Sequence, residues 1–211
     1  MKRVVVTGLG LVTPLGCGVN HSWDNLLSGI SGVKKITKFD PINHKCKVAC
    51  EVPLGSAIDG KFNPEEWIEK KEIKKIDDFI QFSMAASEQA FLDSKIQIST
   101  ELSLRSGAII GSGIGGLPGI ERAALDYYVN KKKISPFFIT GRLINMAAGY
   151  ASLKYNLKGP NYATVSACAS GAHAIGESVR LIQSGKMDLM LTGGTEDAIS
   201  PLGIEGFTAC R

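Results

Sequence analysis

The fold is decided by Tyr162-Ala-Thr-Val-Ser-Ala-Cys168-Ala-Ser-Gly171-Ala-His-Ala-Ile-Gly176. The first residues of this stretch are apolar and β-prone, as a buried strand is. The pattern then breaks at Cys168 and continues as a predicted helix from Ala172 to about Gln183. Cys168 is therefore predicted to lie where a strand passes into a helix.

That position favours a nucleophilic thiolate. Free N–H groups and the positive end of the helix dipole point towards a residue at a helix start, and such surroundings stabilise the ionised thiol. A buried structural cysteine is the ordinary alternative for any single cysteine. However, the small neighbours Ala167, Ala169, Ser170 and Gly171 leave room beside the sulfur of Cys168, which a ligand needs and a packed core does not.

Composition indicates a soluble globular protein. The 211 residues are 44% hydrophobic and 21% charged, and the net charge of +4 is too small to indicate nucleic acid binding. No apolar run approaches the roughly 18 residues of a membrane span. The cysteines are odd in number, and the only close pair, Cys46 and Cys50, has a three-residue spacer that fits neither a zinc site nor a redox motif. We therefore expect reduced cysteines in the cytoplasm.

Strands and helices alternate along the chain, which predicts an α/β fold with a largely buried parallel or mixed sheet. The patterns place strands at 4–7, 47–52, 106–111, 162–167 and 187–194. They place helices at about 20–27, from 63, at 77–93, 120–129, 140–155 and 172–183.

The glycine loop Gly111–Gly116 matches the dinucleotide pattern G-x-G-x-x-G. Asp126 on the following helix gives it partial support. Lys131-Lys-Lys133 stands where an acidic residue is expected, and no glycine loop is followed by a phosphate-binding lysine. A nicotinamide oxidoreductase is therefore an alternative that rests on this loop alone, and we expect no cofactor.

The three histidines and the lysine runs have ordinary interpretations. His21 and His44 are predicted on the surface, His173 is predicted to pack away from the sulfur, and no metal-ligand spacing occurs, so we expect no metal. Lysines cluster at 70–75 and 131–133. Each run alone is a solvated face, whereas both runs on one face would bind an acidic partner.

Seven motifs occur in this order: Arg3-Val-Val-Val-Thr-Gly-Leu-Gly, Gly111-Ser-Gly-Ile-Gly-Gly, Lys133-Ile-Ser-Pro-Phe-Phe138, Gly159-Pro160, Ser166-Ala-Cys-Ala-Ser-Gly171, Gly193-Gly-Thr-Glu196 and Pro201-Leu-Gly-Ile-Glu-Gly-Phe207. Together they resemble the β-ketoacyl-acyl carrier protein synthases, the condensing enzymes of fatty acid synthesis, and most closely the elongating type II class. The resemblance implies a thiolase-like layered αβαβα fold of two similar halves, with residues 1–211 as the N-terminal domain.

The resemblance also implies roles for individual residues. Cys168 would take an acyl chain from the carrier protein as a thioester, and its N–H would be one oxyanion donor. Ile114 and Phe207 would line or gate the acyl pocket, and Phe138 would reach the pocket of a partner subunit. Carrier-protein docking is implied for Lys71, Lys74, Lys75, Lys132, Lys133 and Arg211, and a homodimer contact for the strand at about 161–167.

The chain departs from this family in one respect. The family's two catalytic histidines come from its C-terminal half, and His21, His44 and His173 match neither. We therefore expect residues 1–211 alone to be inactive in condensation, because decarboxylation needs a donor for the developing enolate. The alternatives are a polyketide-type ketosynthase relative and a non-catalytic module that binds acyl chains or the carrier protein.

Overall fold

The computed structural model describes residues 2–210. Its elements in chain order are β1 (Val12–Thr13), β2 (Gly16–Cys17), α1 (Val19–Leu27), β3 (Lys34–Lys35), β4 (Val48–Ala49), α2 (Lys70–Ile73), α3 (Asp78–Ser94), α4 (Thr100–Leu104), β5 (Ser106–Gly111), α5 (Leu117–Tyr128), α6 (Met146–Tyr155), β6 (Asn161–Tyr162), α7 (Ser170–Gln183), β7 (Leu189–Gly194) and α8 (Pro201–Cys210). Short 3₁₀ turns cover Ala57–Asp59 and Pro64–Glu66. No helix within residues 2–210 is both long enough and apolar enough to cross a membrane.

The central sheet has three parallel strands in the order β6-β5-β7. β1–β2 and β3–β4 form separate two-stranded antiparallel pairs. Parallel strands need a crossover, and here helices provide it. The predicted α/β alternation is therefore confirmed.

The middle strand β5 is buried on both faces because helices cover the sheet on each side. Ala108 and Ile110 pack in one cluster with Phe79 of α3 and Ala148 of α6. Side chains alternate between the two faces of a strand. Gly107, Ile109 and Gly111 of β5 therefore face α7 instead. Small residues on α6 let that helix approach the sheet closely. The elements are thus stacked in three layers: α3 and α6 on one face, the sheet in the middle, and α7 on the other face.

Three sequence predictions need correction. Residues 4–7 form no strand, and just after them the N–H groups of Leu9 and Leu11 donate to side chains of α3, 2.9 Å to Asp93 Oδ2 and 3.0 Å to Gln89 Oε1. The helix predicted at 140–155 begins only at Met146. Gly141 packs against the Lys75 carbonyl and requires a turn there. The strand predicted at 162–167 pairs only over Asn161–Tyr162.

A buried carboxylate connects α3 to α5. Asp77, just before α3, accepts a hydrogen bond of 3.1 Å from the N–H of Gly119 and lies 3.2 Å from Arg142 Nε. Burial raises the pKa of Asp77 to about 6, against the opposing attraction of Arg142. Desolvation of the charged form therefore outweighs the ion pair at this site.

This raised pKa predicts a pH dependence of stability. Between the unfolded pKa of 3.8 and the folded value of about 6, the folded protein holds more protons, so its free energy of unfolding falls as pH rises. Asp77→Asn removes this loss. We expect the stability of the variant relative to the native protein to rise by up to about 3 kcal/mol from pH 4 to pH 7. Urea unfolding across that range measures it.

Asp188→Asn is the control of opposite sign. Hydrogen bonds from Arg105 and Lys2 lower the pKa of Asp188 to about 2, so Asp188 stabilises the protein above the unfolded pKa and loses that effect on acidification. If the free energy of unfolding depends on pH in the same way in Asp77→Asn and in the native protein, burial does not raise the pKa of Asp77 as described.

Candidate active site

Cys168 lies on a short turn that leads into α7. The helix begins two residues later, at Ser170, and the Cys168 side chain is exposed. The preceding residue, Ala167, has a φ of 52°. That left-handed conformation costs a non-glycine residue about 1–2 kcal/mol, so the surrounding contacts must hold the turn in place.

The hydroxyl of Ser170 provides two of those contacts. Ser170 is 2% exposed. Its Oγ donates to the Ala167 carbonyl at 2.7 Å and accepts from the Ser166 N–H at 2.9 Å. Thr164 Oγ1 donates to the Ser170 carbonyl at 2.7 Å. The turn around Cys168 is therefore closed from both sides by side-chain hydroxyls.

Glycines at the ends of two strands let α7 start directly against the sheet. A Cβ on Gly111, the last residue of β5, would lie 2.4 Å from the Ser170 carbonyl oxygen. A Cβ on Gly194, the last residue of β7, would lie 2.9 Å from the Gly171 Cα. Carboxyl ends of parallel strands are the usual location of α/β ligand sites. Cys168 is thus placed at that edge.

The glycine loop is filled by a carboxylate of the same chain. Glu196 accepts hydrogen bonds from the N–H groups of Gly113, Ile114 and Gly115 at 2.7, 3.0 and 3.0 Å, and from the Ser112 hydroxyl at 3.1 Å. A pyrophosphate would need these amides. This occupation argues against the nicotinamide alternative. Sequence reasoning gave Glu196 no role of its own, and its only signal was its place at the end of the motif Gly193-Gly-Thr-Glu196.

Each of the three histidines has a polar partner other than Cys168. His21 and His44 lie in α1 and in the loop before β4, and contact Asn25 Nδ2 at 3.1 Å and Glu205 Oε1 at 2.8 Å. The prediction that His173 packs inside is wrong. His173 is exposed, and its Nδ1 is hydrogen-bonded to Ser166 Oγ at 2.6 Å, because the first turn of α7 faces the solvent there.

The candidate acyl-pocket residues lie on three different elements. Ile114, 39% exposed, belongs to the glycine loop, and a Cβ on the adjacent Gly113 would lie 3.4 Å from Ala167. Phe138 lies in the turns before α6, which contact the glycine loop through the Gly116–Arg142 hydrogen bond of 3.2 Å. Phe207 is exposed on α8. Of the three, the structure connects Ile114 most directly to the turn around Cys168.

An apolar cavity of about 550 Å³ lies elsewhere. Residues 3–9, α3, α7 and β7 line it, whereas Cys168, Ile114, Phe138 and Phe207 do not.

The first lysine run contacts the chain just after the second run. Lys75 Nζ lies 4.9 Å from the centre of the ring of Phe137, which is four residues after Lys133. Lys71, Lys75 and Lys132 are paired with Glu69, Glu72 and Asp126. Lys74 and Lys133 are exposed and form no ion pair with the residues that the structure describes. Arg211 lies outside the described residues.

Comparisons with known proteins agree with this geometry. Residues 1–211 match the family described as Beta-ketoacyl synthase, N-terminal domain. The chain is 47% identical over 215 residues to 3-oxoacyl-acyl-carrier-protein synthase 2 of Rhizobium meliloti (strain 1021), covering 100% of this chain and 51% of the relative. It is 47% identical over 212 residues to the protein of the same name in Coxiella burnetii (strain RSA 493 / Nine Mile phase I), covering 100% of this chain and 49% of the relative.

Solved structures show the same fold. A β-ketoacyl synthase from Burkholderia phymatum STM815 superposes with a TM-score of 0.81 at 28% identity, over 100% of this chain and 50% of that one. The ishigamide ketosynthase/chain length factor superposes with a TM-score of 0.84 at 24% identity, over 98% and 50%. The thiolase-like fold is thereby confirmed. The chain spans about half the length of the curated relatives it matches. It belongs to the β-ketoacyl synthase family, of which it represents the N-terminal domain.

Proposed function

We propose that the protein is a 3-oxoacyl-acyl-carrier-protein synthase in which Cys168 carries the growing acyl chain. The observation that carries this proposal is an exposed cysteine on a strained turn at the start of a helix, in a chain 47% identical to enzymes of that name. The relatives' names favour the fatty acid enzyme over a polyketide ketosynthase. Five free cysteines support a reducing cytoplasm as its location.

In the first half-reaction the Cys168 sulfur attacks the acyl thioester of the carrier protein. A new S–C bond forms at Cys168, and the carrier thiolate leaves and takes up a proton. The backbone N–H of Cys168 is proposed to donate to the tetrahedral oxyanion. In the second half-reaction malonyl-carrier protein loses carbon dioxide, its carbanion attacks the Cys168 thioester, and the Cys168 thiolate is released. Ile114, Phe138 and Phe207 are proposed to contact the acyl chain.

The two half-reactions are proposed to be separable in the 211-residue protein. His21 and His173 are hydrogen-bonded to Asn25 and Ser166, and His44 lies 2.8 Å from Glu205 Oε1. None of the three matches the family's catalytic histidines, which would stabilise the enolate. We expect the 211-residue protein to become acylated and to release no carbon dioxide from malonyl-carrier protein. Mass spectrometry measures the first and labelled carbon dioxide the second. Binding of the carrier without acylation would favour the non-catalytic module, and condensation would refute the role given to the missing histidines.

The lysines at α2 and before Phe137, together with Arg211, are proposed as one docking surface for the acidic carrier protein. The contact between Lys75 and Phe137 supports a single surface. Lys74→Glu combined with Lys133→Glu is expected to weaken carrier binding by about tenfold at low salt, and less at high salt, because exposed charges are screened. Titration of labelled carrier protein measures this. Lys158→Glu, on another exposed loop, is the control, and equal weakening by it would contradict a localised surface.

A homodimer through residues 161–167 is also proposed. β6 is the edge of the sheet, and Val165 and Tyr162 are 60% and 39% exposed. An unpaired apolar edge favours association with an identical edge. We expect Val165→Glu to convert a dimer into a monomer in light scattering, whereas Val48→Glu, at a 50% exposed position on β4, leaves it dimeric. A monomeric native protein would contradict the proposal.

A further inference from the structure

Glu196 and the turn that presents Cys168 both lie next to Gly113. A Cβ on Gly113 would lie 3.0 Å from Glu196 Oε2 and 3.4 Å from the Ala167 backbone. Gly113 of the glycine loop therefore packs against both the Glu196 carboxylate and the residue before Cys168. The strand ends before these segments are joined, since the Thr195 N–H donates to the Gly111 carbonyl at 3.0 Å.

The Glu196 carboxylate occupies the position that a bound anion takes in other glycine loops. Successive backbone N–H groups form a concave anion-binding site, and here Glu196 takes the hydrogen bonds of three of them. In the segment 113–115, removal of Glu196 would leave the N–H groups of Gly113 and Ile114 without this acceptor, so they would have to turn towards water, whereas the Gly115 N–H also donates to Ser112 Oγ at 3.1 Å. Ile114 sits in the middle of that segment, so its side chain would move with them.

We propose that Glu196 is a positioning residue. By holding Ile114 beside Cys168, Glu196 would set the length of the acyl chain that Cys168 accepts. This inference rests on the proposed function. Glu196 acts through the backbone of 113–115 and does not touch the acyl chain. Its charge matters because carboxylate–amide hydrogen bonds are stronger than neutral ones.

Two variants separate charge from shape. Glu196→Gln keeps the side-chain size but replaces one acceptor oxygen with an amide NH₂, which cannot accept from the loop. Glu196→Ala empties the site and leaves room for formate. Glu51→Gln is the matched control, because Glu51 likewise accepts from two backbone N–H groups, those of Thr37 and Lys38 at 2.9 and 3.1 Å, but on the β3–β4 hairpin.

The test is the rate at which Cys168 is acylated by carrier-bound chains of increasing length. Glu196→Ala is expected to change the ratio of long-chain to short-chain rates by at least about fivefold, which corresponds to about 1 kcal/mol. Glu196→Gln should change it less. Added formate should return the ratio of Glu196→Ala towards the native value and leave Glu51→Gln unaffected, a rescue that a general loss of stability would not show.

An unchanged ratio in Glu196→Ala, or a changed ratio that formate does not move, would overturn the inference. If the native protein is not acylated at Cys168, the proposed function fails first. Hydrogen exchange at the amides of 113–115 then decides the positioning role alone. Faster exchange in Glu196→Ala that formate slows again supports it, and unchanged exchange refutes it.

Discussion

Replacing Cys168 with serine is expected to lower the rate of acyl transfer to the protein by at least about a thousandfold, or about 4 kcal/mol of barrier. A serine hydroxyl stays protonated at neutral pH and needs an adjacent base to act as a nucleophile. The nearest histidine along the chain, His173, is hydrogen-bonded to Ser166. Mass spectrometry of the intact protein after incubation with acyl-carrier protein measures the rate.

The chain provides its own control for this substitution. Cys50 is another free and exposed cysteine, and Cys50→Ser should leave the acylation rate unchanged. Cys168→Ser should also keep the native free energy of unfolding, because the Cys168 side chain is exposed and serine is only slightly smaller than cysteine. Undiminished acylation of Cys168→Ser would show that the acyl group is carried by another residue.

Gly111→Ala is expected to destabilise the protein by about 3 kcal/mol or more. The added Cβ would lie 2.4 Å from the Ser170 carbonyl oxygen and 2.8 Å from Thr164 Oγ1. A backbone oxygen cannot rotate away, so either the start of α7 or the end of β5 has to move. Since Ser170 closes the turn around Cys168, the same variant should alter the rate at which iodoacetamide modifies that cysteine. Urea unfolding and alkylation kinetics measure the two effects.

Gly176→Ala is the matched control on α7. Apart from its chain neighbours and the nearby backbone of α7 itself, no atom of residues 2–210 lies within 4 Å of a Cβ at Gly176, and alanine is a better helix former than glycine. We expect this variant to gain about 0.5–1 kcal/mol of stability and to keep the native alkylation rate. A Gly111→Ala variant as stable as the native protein would contradict the close approach of α7 to β5.

Sequence periodicity predicted the elements whose own residues determine them. The helix α3 and the strand β5 carry apolar residues at the required spacing, and the break at Cys168 marked the start of α7 within two residues. Residues 4–7 have the same apolar character as β5, yet form no strand. Strand formation depends on a partner for the backbone hydrogen bonds, which local sequence does not specify.

The candidate site divides in the same way. Cys168 was predictable because a helix start next to small residues is a local pattern. The role of Glu196 was not, since it depends on amides more than eighty residues earlier in the chain that only the sheet brings near. His173 was assigned to the interior from its offset along the helix. Which side of α7 is exposed at His173 depends on which helices cover the sheet, and local sequence does not specify that.

The most direct test of the central claim is to locate the acyl group after incubating the 211-residue protein with acyl-carrier protein. Peptide mapping should find one acyl group per chain, on the peptide that contains Cys168, and hydroxylamine should remove it as expected for a thioester. A protein that binds the carrier but acquires no acyl mass, or acquires it on a different residue, would contradict the account.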